Sequence, residues 1–386
     1  MKSIVVYYFN NLFSNVPNDY DYGELPNLFP SLDEDVVNGL DKSVTEEEVR
    51  SRLFGIGGLK SPGPDSFPAI FFQNQWSVCK HELVNLIMKS FQTGSFIKEL
   101  NETLIALGPK LPSPLDMTHL LPVSLCDTVY KVINKTIVQR LRNLMPKLIS
   151  PSQVAFISVR QIQDNIVVAQ EVLHKCKTMK GKKGFFSWKI DLSKVYARLQ
   201  WSFIREVIEE AGFKERLVDL IMWCVSTVNY KAVLNGEVTK VFTLRCGIRQ
   251  GDPLSFYLFV LCMEKLSHLI MQRVNAGEWK GVKVSRGGPC ISHIFFTDDV
   301  ILFGQGSTTQ AEMMECLDIF CNLSGQQIKF SKSCLFCSGN TNVRVAKEIF
   351  EVCGSPLTKD LGKYLGIPLI HERIMNSTYS ALVEKV

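Results

Sequence analysis

Between residues 129 and 144, apolar side chains fall at Val129, Val132, Ile133, Ile137, Leu141 and Leu144, the spacing of one helix face. Lys131, Lys135, Arg140 and Arg142 occupy the other face, and Asp127 stands where a cap would. Thr45 and Glu48 have capping-box spacing and predict a helix start. Further helices are expected over roughly 67–90, 161–177, 193–212, 256–273 and 309–324, with Ser193 and Ser255 as caps and Gly212 as a stop. Residues 185–192 (FFSWKIDL) read as a strand, and residues 101–122 as short strands and turns. Two more short strands, 230–234 and 240–244, flank Asn235-Gly236, a hairpin signal. The apolar segments 291–296 and 300–303 are strands joined through Thr297, Asp298 and Asp299, and short strands are expected near Ile328 and Tyr364. Residues 55–68 and 247–253 are loops, and the first fifty residues read as turn-rich with weak periodicity. Strands and helices mix without regular βαβ alternation, which predicts an α+β fold.

Composition narrows the class. At 386 residues, 46% apolar and 21% charged, the chain is long enough for two or three domains and too apolar to be disordered throughout. No apolar run reaches the ~18 residues of a membrane span, residues 254–263 being the longest candidate. The start, MKSIVVYYFNNLF, lacks the small-residue cleavage site of a signal peptide and is expected to belong to the folded chain. Twelve scattered cysteines, many inside apolar runs, suit a reduced intracellular protein; the CxxC at Cys334 and Cys337 has no second pair at zinc-ligand spacing. The net charge of +5 is uneven. Residues 1–50 hold three basic and ten acidic residues, a balance of −7, and the rest carries +12. A basic body invites a polyanion such as nucleic acid, although a Lys-rich solvated surface gives the same figure.

Three features carry candidate chemistry. Asp298 and Asp299 are adjacent carboxylates between apolar strands. Two unit charges ~4 Å apart repel by about 4 kcal/mol at an effective dielectric near 20, and a divalent cation reverses that sign. Alone, the pair could equally be a solvated acidic turn. Asp191 ends a predicted strand where a helix is expected to begin, so it could hold a metal that carries phosphates, or cap the helix. Gly247-Ile-Arg-Gln-Gly-Asp-Pro253 offers close backbone approach, with Arg249 and Gln250 as donors.

In this order the features resemble the reverse transcriptases of LINE-type non-LTR retrotransposons, most closely those of plants. The matching stretches are LKSPGPD (59–65), PVSLCDTVYKVINK (122–135), KIDLSK (189–194), GIRQGDPLS (247–255), ISHIFFTDDVILF (291–303), SGQQIKFSKS (324–333) and KYLGIPL (363–369). The resemblance implies a right-hand polymerase fold: an acidic leader over 1–44, fingers over 45–184, palm over 185–370 and the start of a further extension over 371–386. It implies an RNA-directed DNA polymerase acting on an RNA template, a DNA primer and dNTP, with no membrane partner, located in the nucleus if active. Asp191 and Asp298 would be the principal ligands of two Mg²⁺ ions, or Mn²⁺ in their place, with Asp299 supporting. Tyr196 would lie under the nucleotide sugar, Gln250 would touch the incoming nucleotide and template, and Arg249 would contact backbone phosphate. Lys110 would meet the triphosphate, and Lys332 would protonate pyrophosphate. The basic helix and the lysines at 175–183 would line a template–primer channel with strong salt dependence.

Four positions depart from the family pattern. Leu121 stands where an arginine is expected, Val159 where a glycine is, Ala197 where an acid is, and Lys329 where an asparagine is. They keep a second reading open, a catalytically inactive remnant with at most nonspecific nucleic-acid binding; a metal-dependent nuclease using the same carboxylates is a third. The resembled proteins are much longer, with an apurinic-type endonuclease before the polymerase and further domains after it. The chain is therefore expected to be a truncated copy with the thumb missing or incomplete.

Overall fold

The structure, a computed structural model, describes residues 2–13, 24–179, 184–307 and 313–369. Its elements gather into two compact units, each assembled from separate segments: Met1–Asn18, Phe29–Leu148 and Tyr196–Cys262 in the first, Asp19–Leu28, Ile149–Val195 and Met263–Val386 in the second. Lys180, Lys182 and Lys183, the expected helix start near 309 and the segment 371–386 lie outside the described residues.

The first unit is built on a five-stranded sheet. Glu102–Pro109 pairs antiparallel with Leu120–Cys126 and parallel with Asn229–Leu234, which also takes Glu237–Val238 and Phe242–Thr243. Asn235 and Gly236 both have positive φ, as the hairpin signal requires. The helix Thr128–Arg142 buries Val129, Val132, Ile133, Ile137 and Leu141, the predicted stripe. Thr45 Oγ1 accepts from Glu48 N at 3.1 Å, so that cap is made. Asp127 holds the N-cap position, but its side chain makes no cap bond; it accepts instead from Asp65 N in the 55–68 loop.

Several expected elements change. The N-terminus contains two helices, Lys2–Leu12 and Glu34–Leu40. Val5, Phe9 and Phe13, four residues apart, enter the core of the first unit, where Phe9 stacks on Phe242 at 5.8 Å. The expected helix 67–90 is two, Ala69–Asn74 and Trp76–Thr93, interrupted at Gln75. The expected helix 193–212 is also two, Val195–Arg198 and Trp201–Glu210. Lys194, at φ 51°, is left-handed, so no helix can run through from Ser193.

The helix expected from residue 256 spans Pro253–Asn275, opening on a proline suited to the first helical turn. It corrects the expectation on apolar length: an 18-residue window has mean hydropathy 1.4, long and apolar enough to cross a membrane, and 89% of that window is buried inside the protein. Glu264 and Lys265 interrupt the apolar run in the sequence, and both are accommodated in the interior. Lys265 Nζ donates to Pro26 O at 3.0 Å, and Glu264 accepts from Ser150 N at 3.1 Å and Ser150 Oγ at 3.2 Å.

Burial pushes the Glu264 carboxyl up to about 7. At Glu264 the folded state therefore binds the proton more tightly than the unfolded state between about pH 4.5 and 7, and this residue's contribution to stability falls as pH rises through that window, by on the order of 3 kcal/mol, while the buried His268 and His293, held neutral by burial, contribute with the opposite slope. Glu264→Gln is expected to remove this residue's share of the slope and leave that of Asp127, which burial also raises to about 7. Melting temperatures from pH 5 to 8 test it, and a variant profile as steep as the parent's rejects the assignment.

The second unit carries a four-stranded antiparallel sheet in the order Cys334–Cys337, Gly184–Asp191, Asp299–Gly306, His293–Phe296. The helix Ile162–Thr178 covers it through Ala169, Val172 and Leu173, against Ile294, Ile301, Phe303 and Tyr364. Both central strands are apolar along most of their length because the sheet is buried, and each changes to carboxylate at the same end.

Candidate active site

The strand Gly184–Asp191 ends on Asp191, and the strand Asp299–Gly306 begins on Asp299. Their antiparallel register sets Asp299 directly opposite Asp191. Residues so paired have Cβ atoms ~4.5–5.5 Å apart, where like charges repel. Asp298 immediately precedes, in the two-residue turn that joins His293–Phe296 to the Asp299 strand. The sheet thus brings all three predicted carboxylates to one place. Burial raises the Asp299 carboxyl above its ordinary range; the charges of Asp298 and Asp191 add to this, and Lys189 opposes it.

The turn is strained. Thr297 has φ 52°, a conformation that costs a β-branched residue on the order of 1–3 kcal/mol. It is held by a bond from Thr297 N to Gln153 Oε1 at 3.4 Å, and Gln153 is itself buried and anchored through Ala155 N at 2.9 Å. Gln153 is thus a positioning residue for the Asp298 turn, and it lies outside every motif singled out in the sequence.

Asp191 is braced from a third stretch. Lys329 N donates to Asp191 O at 2.8 Å, and Asp191 N donates to Ser333 Oγ at 3.1 Å. Lys332 sits in this turn, exposed, with its backbone N bonded to Lys329 O at 2.9 Å. The Lys329 departure is accommodated because its role here is made by the backbone. Lys189 was legible as part of a motif but had no assigned role; its ammonium donates to Lys363 O and its charge acts on Asp299.

Among the described residues no group of three His, Cys, Asp or Glu is placed to hold a metal ion, so the three aspartates, though gathered at one strand end, do not form a ready-made metal site.

The remaining predicted residues lie in the first unit. Tyr196 is half-buried, its ring 5.4 Å from Phe259 and 5.8 Å from Phe256. Its carbonyl accepts from Ile248 N at 2.7 Å, which ties it to the Gly247–Pro253 loop. Gly247 has φ 88°, and a Cβ there would lie 2.7 Å from Ala197 O, so no larger residue fits. Gln250 is half-buried, and its carbonyl accepts from Ser124 N at 3.2 Å. Lys110 is exposed, with Nζ donating to Thr118 O at 3.2 Å.

Arg249 corrects an expectation. It is 4% exposed and points inward. Nε donates to Thr103 Oγ1 at 2.9 Å, Nη1 to Tyr130 Oη at 2.7 Å and Cys224 O at 2.8 Å, and Nη2 to Asn101 O at 3.0 Å and to Asn101 Oδ1. The planar guanidinium lies 4.3 Å from the Tyr130 ring centroid. Its donors are engaged with protein, which removes it from direct contact with a phosphate. Tyr130 in turn donates to Asp252 Oδ2 at 2.6 Å.

Residues 114–369 match the family described as Reverse transcriptase (RNA-dependent DNA polymerase). The chain belongs to that family. It is 26% identical over 361 residues to the transposon TX1 uncharacterized 149 kDa protein of Xenopus laevis, covering 93% of this chain and 27% of the relative. It is 23% identical over 263 residues to the Pol polyprotein of the type-2 retrotransposable element R2DM of Drosophila melanogaster, covering 68% and 23%. A segment of 67 residues is 45% identical to an uncharacterized mitochondrial protein of Arabidopsis thaliana, covering 17% and 55%. The chain spans about a quarter of the length of the two retroelement relatives.

Two departures from the reverse transcriptase pattern are structurally benign. Val159 is 76% exposed and is not among the described residues with positive φ, so its position makes no demand for glycine. Arg160 beside it donates to Ile149 O at 2.6 Å, and to Ser150 O and Gln153 O. Ala197 is buried in the apolar core of the first unit, where a carboxylate would be costly.

Proposed function

We propose that this reverse transcriptase domain comes from a plant non-LTR retrotransposon and extends a DNA primer on an RNA template. The observation that carries the activity is the pairing of Asp299 with Asp191 at one strand end, with Asp298 in the adjoining turn. In this reading the segment 45–184 corresponds to fingers and 185–370 to palm of a right-hand polymerase. Asp191 and Asp298 would hold two Mg²⁺ ions, with Asp299 supporting. When bound, such ions lower the barrier to attack by a hydroxyl and stabilise a leaving phosphate oxygen. The chain's own contribution is placement. The paired strands and the strained Thr297 turn fix the carboxylates before substrate arrives, so little reorganisation is needed in the transition state. Lys332, exposed beside Asp191's brace, is available to give a proton to pyrophosphate. Tyr196 and Gln250 are tied into one loop system that would meet the nucleotide, and Lys110 would meet its triphosphate.

Primer extension on poly(rA)/oligo(dT) with Mg²⁺ tests the reading. Leu121, where the family has arginine, lies opposite Gly108 on the neighbouring strand and is 39% exposed, so a longer cation fits without burial. Leu121→Arg is expected to raise kcat/KM for dNTP by about 10²–10³, the worth of one charge-assisted transition-state contact. No incorporation by either protein at any enzyme concentration would favour an inactive remnant.

A further inference from the structure

We propose that a chain of side chains running from Glu264 through Ser150 and Ser152 to His293 latches the Asp298 turn from behind, with Ser152 and His293 as positioning residues, and that the direction of its hydrogen bonds reverses when Glu264 takes up a proton. All of these residues belong to the second unit. The inference deepens the catalytic reading of Asp298 and rests on it only for the consequence in primer extension.

The strand His293–Phe296 runs directly into Thr297 and Asp298, and one of its edges pairs with Asp299–Gly306. Residues 152–154 take the other edge. Phe295 N donates to Ser152 O at 2.8 Å, and Val154 N to Phe295 O at 3.4 Å. Gln153, between them, holds Thr297 N through its side chain. The placement of the turn therefore follows that of residues 152–154. This stretch is fixed from outside by two charged groups. The Arg160 guanidinium donates to the carbonyls of Ile149, Ser150 and Gln153. Glu264 accepts from Ser150 N and Ser150 Oγ. Ser152 Oγ lies 2.7 Å from Ser150 Oγ and 2.9 Å from His293 Nε2, which closes the latch onto the strand that carries the turn. Ser267 Oγ is also 2.9 Å from His293 Nε2.

Counting hydrogens gives the chain a direction. His293 is buried, and burial pushes it down to about 3, so its ring is neutral: one nitrogen donates and the other accepts. When Glu264 is a carboxylate, the hydroxyls of Ser150 and Ser267 stabilise its charge and spend their hydrogens on it. Ser150 Oγ can then only accept, so Ser152 donates to it, and none of the three hydroxyls is left to donate to Nε2. Nε2 therefore carries the hydrogen and donates to Ser152, while Nδ1 accepts from Ser292 Oγ at 2.9 Å. A proton on Glu264 sits on Oε2, because Oε1 accepts from Ser150 N. It donates to Ser150 Oγ, Ser150 donates to Ser152, and Ser152 donates to Nε2. The balance is one proton: it bonds to Nδ1, the Nε2 hydrogen passes to Ser152, that of Ser152 to Ser150, and that of Ser150 to Glu264. Every link survives the reversal, because a hydroxyl both donates and accepts. The charged and titratable groups acting on Glu264 are Arg160 and, 3.9 Å away on its own helix, His268, which burial and the charge of Lys265 keep neutral.

The test uses the full chain and two NMR readouts. In protein labelled with ¹⁵N-histidine, the His293 ring is assigned by its loss in His293→Asn or, if that variant does not fold, by its contact with the Phe295 ring, 4.7 Å away. Its hydrogen is expected on Nε2 at about pH 8.5 and on Nδ1 at about pH 5.5, either side of the Glu264 midpoint of about 7, with the ring neutral at both. Glu264→Gln, whose amide donates to Ser150 Oγ as the protonated acid does, is expected to keep it on Nδ1 at both. One tautomer throughout in the parent, or a change that survives in Glu264→Gln, overturns the reversal. The second readout is exchange of the Thr297 amide hydrogen in protein labelled with ¹⁵N-threonine. Ser152→Ala is expected to speed it about 3–10-fold, the effect of one lost hydrogen bond, and Ser152→Thr, which keeps the hydroxyl, to restore it. Ser152→Cys, with a much weaker hydrogen bond, is read instead if Ser152→Ala does not fold. Exchange at the parent's rate overturns the latch. In primer extension, kcat is expected to fall with faster exchange while KM for dNTP stays within about twofold. Faster exchange with the parent's kcat overturns the positioning role. An inactive parent counts against the polymerase reading, and exchange then decides the latch by itself.

Discussion

Asp298→Ala is expected to reduce Mg²⁺-dependent primer extension by at least about 10³-fold while leaving the protein as stable as the parent. On the proposed reading, the activity loss follows from removing a carboxylate that would stabilise the charge developing in phosphoryl transfer, worth about 3–4 kcal/mol. The stability side follows from register. Asp299 sits opposite Asp191 and next to Asp298, and their charges together with burial hold its carboxyl above the ordinary range. Deleting a neighbouring negative charge relieves that repulsion. Asp299→Asn is expected to raise the melting temperature for the same reason. A residue that merely capped the turn would behave the opposite way, with stability lost first and activity following it down. Undiminished extension by Asp298→Ala sinks the catalytic assignment. Extension and melting measured on the same samples separate the two roles.

Elements with a local physical cause were legible in the sequence. The stripe from Val129 to Leu141, the Thr45 cap and the Asn235-Gly236 turn each depend on residues within one or two turns of chain, and each appears where the pattern put it. What required the fold was non-local. Nothing in the chain states that Asp299 faces Asp191; that is a fact of strand register between segments more than a hundred residues apart. The break at Lys194 is set by its left-handed backbone, and helix periodicity on either side concealed it. The helix Lys2–Leu12 was masked by the acidic text that follows it, although Val5, Phe9 and Phe13 carry the four-residue spacing. The compact units are discontinuous, each assembled from segments far apart in the chain, which is a property of tertiary contacts that motif order does not carry. Gln153 had no chemical signal at all: an amide in a loop becomes meaningful only once its oxygen is seen on Thr297 N.

Arg249→Met is expected to destabilise the protein by at least about 3–5 kcal/mol, the cost of breaking a buried hydrogen-bonded charge network by removing one partner. The guanidinium donates to Thr103, Tyr130, Cys224 and Asn101, and its removal leaves Asp252 3.9 Å away without its cation, held by Tyr130 and Asn134. Methionine fills much of the volume but satisfies none of these acceptors. Arg249→Lys is expected to lose nearly as much, because one ammonium cannot reach partners spread around a planar fork. Asp252→Asn in the Arg249→Met background should restore part of the loss, since it removes the unpaired charge. Denaturant midpoints of the four proteins decide the matter. In a motif that reads Gly-Ile-Arg-Gln-Gly-Asp-Pro, a loop arginine is naturally taken as a ligand donor, and the alternative has a distinct signature. If Arg249→Met keeps the parent midpoint and loses only primer extension, the side chain works on phosphate after all. If it unfolds early, Arg249 and Asp252 are the pins that hold the Gly247–Pro253 loop in place, and the contact with nucleotide proposed for that loop would fall to Gln250.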